Sequence, residues 1–356
     1  MSINKRFLGQ SELLVSSLCL GSMTFAEQVD LETSHNLLDC AFDHDINFID
    51  TAEMYPVPAA SVSFGQSEEI IGKWFKKNPL KRKSIICATK LAGPARGMPW
   101  IRGHHHLTSK DFEDACNKSL RRLQTDVIDL YQIHWPVRHV PSFGQMYFDP
   151  HKEQNNLISI HDQLSVLEKL VRDGKVIAIG LSNETPFGLH EFIRLAEQYN
   201  LPRVVSVQNP YSLINRSVEN AMDESLFRLG VSLLAYSPLA YGLLSGKYDF
   251  SGLVGNNSPK DGRLTKYESM RKQRWGREFA LIAARLYNKL ARDNGLTPVE
   301  LALGFCFNKW QVTSTIIGVT SRAQLVENIN AASIKLDQSI LDSIDEIRRQ
   351  YRDPAQ

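Results

Sequence analysis

Val127-Ile128-Asp129-Leu130-Tyr131-Gln132-Ile133-His134 is a short, largely apolar run that stops on a histidine. Neither of its faces is given over to polar side chains, so it reads as a strand buried on both sides. Amphipathic stretches flank it. Residues 109–124 read as a helix with Thr108 or Ser109 at its N-cap, and residues 160–172 as another that ends near Gly174. The same beat repeats outward. Towards the N-terminus, strands are expected at 17–21, 46–50 and 84–90, with helices at 31–45 and about 66–77. Towards the C-terminus, strands are expected at 176–182, 204–208, 231–236 and 315–318. The helices there fall at about 186–199, 216–229, 275–294, 298–309, 321–331 and 338–351.

Strands apolar on both faces and joined by helices make a parallel sheet covered by helices. The number of β-then-α units favours closure into an eight-stranded parallel (β/α)8 TIM barrel over an open sheet. No GxGxxG follows the first strand, which disfavours a doubly wound dinucleotide fold. Residues 5–15 predict an additional N-terminal β-hairpin, and the last helices are additions at the C-terminal end. All 356 residues fit one barrel domain, 1–356, because such barrels take up extra length in loops. Two long irregular stretches, about 135–158 and 240–265, and a shorter one, 91–107, follow strands. In a barrel they lie on the rim where sites are built.

With 43% hydrophobic and 22% charged residues, the chain has the make-up of a globular enzyme. A net charge of +2 without a long basic block argues against a nucleic-acid partner. Lys81-Arg82-Lys83 and Arg271-Lys272-Gln273-Arg274 read as short solvated runs, the second also placed to meet a phosphate. Five scattered cysteines, at 19, 40, 87, 116 and 306, form no CxxC pair, so neither a disulfide framework nor a structural zinc is expected. The first residues hold no signal-peptide core, and no run approaches the ~20 apolar residues of a membrane span. A cytoplasmic location with no membrane partner is the expectation. His104-His105-His106 invites a metal reading, but three consecutive side chains do not converge on one ion, and no metal is expected. No feature specifies an oligomeric partner.

Polar residues recur where the apolar runs stop: Asp50, Lys90, His134, Ser182-Asn183, Gln208-Asn209 and Tyr236-Ser237. Taken singly, Asp50 reads as a helix cap, Lys90 as a surface lysine and His134 as a satisfied core histidine. In a parallel barrel, however, all these ends open on one mouth. Tyr55 follows Asp50 by five residues. A phenol serves as a general acid when a nearby ammonium, here Lys90, brings its pKa down. Asp50 supplies the ammonium's counter-ion, and His134 steadies negative charge developing on a carbonyl oxygen. Trp100, Trp135, Phe143 and Tyr147 fall on the rim stretches and either shape a pocket or pack the loops down. Trp135 has the strongest claim to the pocket.

Several stretches resemble, in order and over nearly the whole chain, the signature of the aldo-keto reductase superfamily. They are Leu20-Gly21-Ser22-Met23-Thr24-Phe25, Asp50-Thr51-Ala52-Glu53-Met54-Tyr55, Ala88-Thr89-Lys90, Gln132-Ile133-His134-Trp135-Pro136 and Gly180-Leu181-Ser182-Asn183-Glu184. Asn209-Pro210-Tyr211-Ser212-Leu213, Ala235-Tyr236-Ser237-Pro238-Leu239, Gly242-Leu243-Leu244-Ser245-Gly246-Lys247-Tyr248 and Gln324-Leu325-Val326-Glu327-Asn328 continue it. Residues 50–58 are most like the bacterial Tas-type reductases. The resemblance implies a catalytic tetrad of Asp50, Tyr55, Lys90 and His134, and a shell for NADP(H) that includes Ser22, Met23, Asp50 and Pro238. It further implies that Ser182, Asn183 and Gln208 hydrogen-bond the nicotinamide carboxamide, and that Tyr236 stacks on its ring. Ser237 and Leu239 would meet the pyrophosphate, with Lys247 and Arg263 closing over it. Gly318, Thr320, Gln324, Glu327 and Asn328 would hold the adenosine end.

Many relatives carry Lys or Arg close to the adenosine 2′-phosphate, where this chain has Thr320, with Arg322 two residues on. NADPH is preferred to NADH on that footing. The implied activity is NADPH-dependent reduction of a small aldehyde or ketone to an alcohol. Two alternatives stand beside it: a cofactor-binding regulatory module related to channel β subunits, and a Schiff-base aldolase using Lys90. Some regulatory relatives replace the histidine with Asn, so His134 favours catalysis.

Overall fold

A computed structural model describes residues 3–94, 97–103 and 106–356. Two short antiparallel strands, β1 (Lys5–Phe7) and β2 (Leu14–Ser16), form the N-terminal hairpin, with Lys5 opposite Ser16. The barrel strands follow: β3 (Leu18–Gly21), β4 (Phe48–Asp50), β5 (Ile86–Leu91), β6 (Ile128–Ile133), β7 (Val176–Ser182), β8 (Val204–Pro210), β9 (Ser232–Tyr236) and β10 (Val312–Ile317). Each pairs in parallel with the next, and β10 pairs with β3 to close the barrel. The expected fold class is therefore the observed one.

Period-two alternation decides what the barrel interior holds. Cys19, Phe48, Ala88, Leu130, Ala178, Val205, Leu234 and Ile316 make one apolar cluster, one residue from each strand. Leu8 and Val15 of the hairpin join that cluster, so the hairpin plugs the N-terminal end of the barrel. Two residues further along β4, β5, β6 and β9 the inward positions are Asp50, Lys90, Gln132 and Tyr236. The polar residues at strand ends are thus the next inward layer above a closed apolar floor.

The helices cover the outside: α1 (Leu31–Asp43), α2 (Gln66–Lys77), α3 (Ser109–Leu123), α4 (Ile160–Arg172), α5 (Pro186–Gln198), α6 (Met222–Leu229), α7 (Glu278–Asp293), α8 (Pro298–Phe307), α9 (Arg322–Ala331) and α10 (Gln338–Gln350). Local chemistry sets their starts. The Asp111 carboxylate accepts from the Thr108 backbone N–H at 2.7 Å and from its hydroxyl at 2.6 Å, which fixes the first turn of α3. Thr297 and Glu300 exchange side-chain-to-backbone bonds of 3.1 and 2.8 Å at the start of α8. Gly72 of α2 lies so close to α3 that a β-carbon there would stand 2.0 Å from the Arg122 carbonyl oxygen.

Several boundaries differ from the sequence expectation; β10, for one, starts at Val312 rather than 315, and β4 at Phe48 rather than 46. The stretch 216–229 is a 3₁₀ turn (Ser217–Glu219) followed by α6, because Ala221 takes a left-handed φ of 77° between them. The stretch from 275 begins as a 3₁₀ turn, Arg274–Gly276, before α7 starts at Glu278. Strand β8 runs on to Pro210, pairing with Tyr236 of β9. The long rim stretches contain short turns, Pro150–Lys152 in one, and Ala240–Ser245 and Arg263–Lys266 in the other. Among the described residues no helix is long and apolar enough to cross a membrane. All five cysteines are buried free thiols. His104 and His105 lie outside the described residues.

Candidate functional site

At the C-terminal mouth of the barrel, Lys90 is 0% exposed and Asp50 2% exposed. The Lys90 ammonium donates to Asp50 Oδ2 at 2.6 Å, to the Thr51 carbonyl at 2.7 Å and to Tyr55 Oη at 3.5 Å. Its three protons therefore meet a carboxylate, a carbonyl and a phenol. His134, one residue past β6, is anchored by its backbone N–H to the Leu91 carbonyl at 2.9 Å. Its ring stands edge-on to Tyr55, with centroids 5.7 Å apart and planes at 78°. The four side chains expected to form a tetrad are thus brought to one place from four elements.

The expected tuning of Tyr55 runs the other way. Burial, and next the negative charge of Asp50, hold the phenol well above its ordinary value of 10. The Asp50 carboxylate sits against Lys90 and offsets the field that would otherwise favour phenolate. The phenol therefore keeps its proton well into the alkaline range.

A continuous set of hydrogen bonds links the tetrad to the next shell. Gln208 Nε2 donates to Asp50 Oδ1 at 2.8 Å. Ser182 Oγ donates to the Gln208 carbonyl at 2.8 Å, and Asn183 Nδ2 to the His134 carbonyl at 2.8 Å. Tyr236 Oη donates to Asn183 Oδ1 at 2.7 Å. Asn183 and Ser237 both hold left-handed backbone conformations, with φ of 55° and 57°. Asparagine tolerates that region locally; for Ser237 it is strain stored at the rim. Ser22 is fully buried, and its hydroxyl has no hydrogen-bond partner among the described residues. The Met23 carbonyl accepts from the Val57 N–H at 3.2 Å. Ser237 and Leu239 accept backbone bonds from Ala240 and Gly242, shaping the turn after Pro238.

Lys247 and Arg263 approach the same mouth from the stretch after β9. The Arg263 guanidinium lies over the Tyr241 ring at 5.0 Å and reaches Gln28 Oε1 at 3.4 Å. Desolvation, then the charge of Arg263, lowers the Lys247 pKa, and desolvation lowers that of Arg263. Neither cation has a carboxylate ion pair among the described residues. Beyond β10, Gly318 is open around its α-carbon. Thr320 donates from its backbone to Gln324 Oε1 at 2.9 Å, and Ser321 caps α9 through the Gln324 N–H at 3.3 Å. Asn328 is buried, whereas Glu327 is exposed. Glu327 lines a cleft of about 600 Å³ together with Thr297, Glu300, Arg322, Ala323, Val326 and Asn330. No tetrad residue lines that cleft, so it belongs to the α8–α9 end and is separate from the site around Lys90.

Other residues of the site escaped the sequence reading. Gln132 Nε2 approaches Asp50 Oδ1 at 3.4 Å, and its inward position two residues before His134 was a usable signal. Two buried carboxylates pin the rim. Glu53 accepts from the Ala92 N–H at 2.6 Å and pairs with Arg102, and Glu184 pairs with Arg138 at 2.5 Å. Trp135 is buried, tilted against His134 with centroids 5.0 Å apart, and donates to the Pro94 carbonyl at 3.1 Å. Its seat requires Gly93, where a β-carbon would come within 2.4 Å of the indole. Trp100 and Tyr147 are exposed, while Phe143 meets Trp135 edge-on at 6.1 Å.

The Aldo/keto reductase family profile matches residues 17–349. Protein tas of Escherichia coli is 40% identical over 346 residues, covering 97% of both chains. An uncharacterized oxidoreductase of Bacillus subtilis, YrpG, is 31% identical, covering 96% of this chain and 94% of its own. A putative voltage-gated potassium channel subunit beta of Schizosaccharomyces pombe is also 31% identical, covering 96% and 92%.

Proposed function

The chain belongs to the aldo/keto reductase family, and from that premise we propose that it reduces small aldehydes or ketones to alcohols with NADPH, Tyr55 delivering the proton. The observation that carries this reading is the buried contact set of Lys90 with Asp50 and Tyr55, edge-on to His134. It surrounds one point with a protonated phenol and an imidazole, which is what a carbonyl oxygen gaining negative charge requires.

The donor set suits a dinucleotide. Lys247 and Arg263 form a double cation with no carboxylate ion pair among the described residues, suited to a diphosphate, and the Ser22 hydroxyl is buried without a hydrogen-bond partner among them. Ser182, Asn183 and Gln208 offer amide and hydroxyl groups for the carboxamide, and Tyr236 an aromatic face for the ring. Gly318, Thr320, Gln324, Glu327 and Asn328 would hold the adenosine end at the start of α9, whose free N–H groups favour phosphate. When bound, NADPH supplies the hydride. Tyr55 donates its proton to the substrate oxygen, Lys90 stabilises the phenolate left behind, and Asp50 orients Lys90 through their 2.6 Å ion pair. His134 hydrogen-bonds the same oxygen and fixes the carbonyl's approach.

A Schiff-base role for Lys90 is disfavoured, because Asp50, Thr51 and Tyr55 engage all three protons of its ammonium, which has no lone pair with which to attack a carbonyl. We also take the protein to be cytoplasmic, in keeping with five buried free thiols. The test is loss of NADPH absorbance across a panel of aldehydes, ketones and quinones, run in parallel with NADH. Turnover of a carbonyl compound with a higher kcat/KM for NADPH is expected. Tight cofactor binding without turnover of any member would favour the regulatory alternative.

A further inference from the structure

Arg274 opens the 3₁₀ turn ahead of α7 and is only 6% exposed. Its guanidinium packs over the Trp275 ring at 4.6 Å and donates to Tyr236 Oη at 3.2 Å. Among the described residues no carboxylate forms an ion pair with it. The contrast with the other buried cations is plain. Lys90 has Asp50, and Arg216, 3% exposed, has Glu219 and Asp345. A guanidinium taken out of water needs an anion to offset its desolvation, and one phenol satisfies only one of its five N–H donors.

Its location says which anion. The backbone and β-carbon of Arg274 pack against Gly144, within the rim stretch that follows β6. That stretch carries Phe143, which meets Trp135, which in turn meets His134. On its other side Arg274 touches Tyr236. Arg274 therefore bridges Tyr236, met by its guanidinium, and the rim stretch that carries Phe143, met by its backbone and β-carbon. The cofactor's phosphates already have Lys247 and Arg263; Arg263 lies over Tyr241 and reaches Gln28, and it is separated from Arg274 by the packed rings of Tyr241 and Trp275.

We propose that Arg274 binds a carboxylate carried by the carbonyl substrate, so that the preferred substrates are oxo-acids rather than neutral aldehydes. The proposal rests on the reductase reading above. A planar carboxylate meets a guanidinium through two parallel hydrogen bonds, giving both charge compensation and a fixed orientation of the carbonyl relative to Tyr55.

The experiment compares 5-oxopentanoate with pentanal in NADPH-oxidation kinetics, for the wild type, Arg274→Gln and Arg274→Lys. The wild type is expected to favour the oxo-acid. In Arg274→Gln the ratio of the two kcat/KM values should fall by about 10–100-fold, the worth of a charge-assisted hydrogen-bond pair, chiefly through KM for the oxo-acid. Arg274→Lys should retain part of the ratio. An unchanged ratio overturns the proposal. So does a fall in turnover of both aldehydes that tracks a weaker NADPH Kd, read by quenching of tryptophan fluorescence, since that would make Arg274 a support for Tyr236. In the wild type, glutarate should compete with pentanal, a result that needs no variant to fold, and failure to compete counts against the proposal. Reduction of pentanal with no oxo-acid preference sinks the Arg274 assignment alone; reduction of neither aldehyde, nor of any member of the wider panel, sinks the reductase reading with it.

Discussion

Replacing Asp50 by Asn removes the carboxylate 2.6 Å from a lysine that is 0% exposed. The ammonium would keep the Thr51 carbonyl and the Tyr55 phenol but lose its counter-charge. Breaking one side of a buried ion pair costs about 3–5 kcal/mol, because the surviving charge stays desolvated. Unfolding entropy of about 2.1 cal/mol/K per residue, spread over 356 residues, converts that loss into a fall in Tm of about 4–7 °C. Lys90→Met should cost a similar amount by stranding Asp50. The double variant Asp50→Asn/Lys90→Met has no stranded charge, and its remaining cost is the unmet Thr51 carbonyl, about 1–3 kcal/mol. The two substitutions should therefore be strongly non-additive, with the double variant at least as stable as either single one. Urea unfolding followed by tryptophan fluorescence measures all three. Losses that add within about 0.5 kcal/mol would refute the reasoning, since additivity is the mark of residues that do not interact.

Tyr236→Ala should weaken NADPH binding measurably, by removing both the aromatic face and the bond that holds Asn183, and a fluorescence titration giving the wild-type Kd would rule out the stacking role. Because burial raises Tyr55 above 10, the reduction rate should show no loss from this group between pH 7 and pH 9; a kcat profile falling with an apparent pKa near 7 that disappears in Tyr55→Phe would contradict it. The same shift has a stability sign. Tyr55 and Tyr131 both hold their protons more tightly when folded, so the unfolded chain binds fewer protons above about pH 10. The stability these two groups contribute is present below that pH and is lost above it. A Tm that rose between pH 10 and pH 11 would be inconsistent.

Much of this was legible in the sequence because two simple periodicities carried it. Apolar runs such as Val176–Ser182 and amphipathic stretches such as Gln66–Lys77 and Ile160–Arg172 sit where the chain pattern puts them. Convergence of Asp50, Lys90 and His134 follows from parallel closure, since all strand ends then face one way. What was hidden depends on contacts between distant segments. The raised Tyr55 pKa needs the burial of the site and the position of Asp50, neither of which spacing gives. The Glu53–Arg102 and Glu184–Arg138 pairs join residues 49 and 46 positions apart and look like ordinary surface charges in a linear reading. Arg274 fell within a short basic run that read as solvated and placed to meet a phosphate, yet folding buries it against Trp275. The helix expected over 216–229 failed at Ala221, whose left-handed backbone no propensity signals.

Carbonyl reduction by this protein, as proposed, turns on Tyr55 as the proton donor beside a bound nicotinamide. Single-turnover mixing of NADPH-loaded protein with an aldehyde that the wild type reduces, repeated with Tyr55→Phe, tests this most directly. In Tyr55→Phe the Kd for NADPH should be unchanged and the hydride-transfer rate lower by about 10²–10⁴-fold, the range a positioned general acid contributes. A Tyr55→Phe protein that binds NADPH normally and transfers hydride at close to the wild-type rate would contradict it.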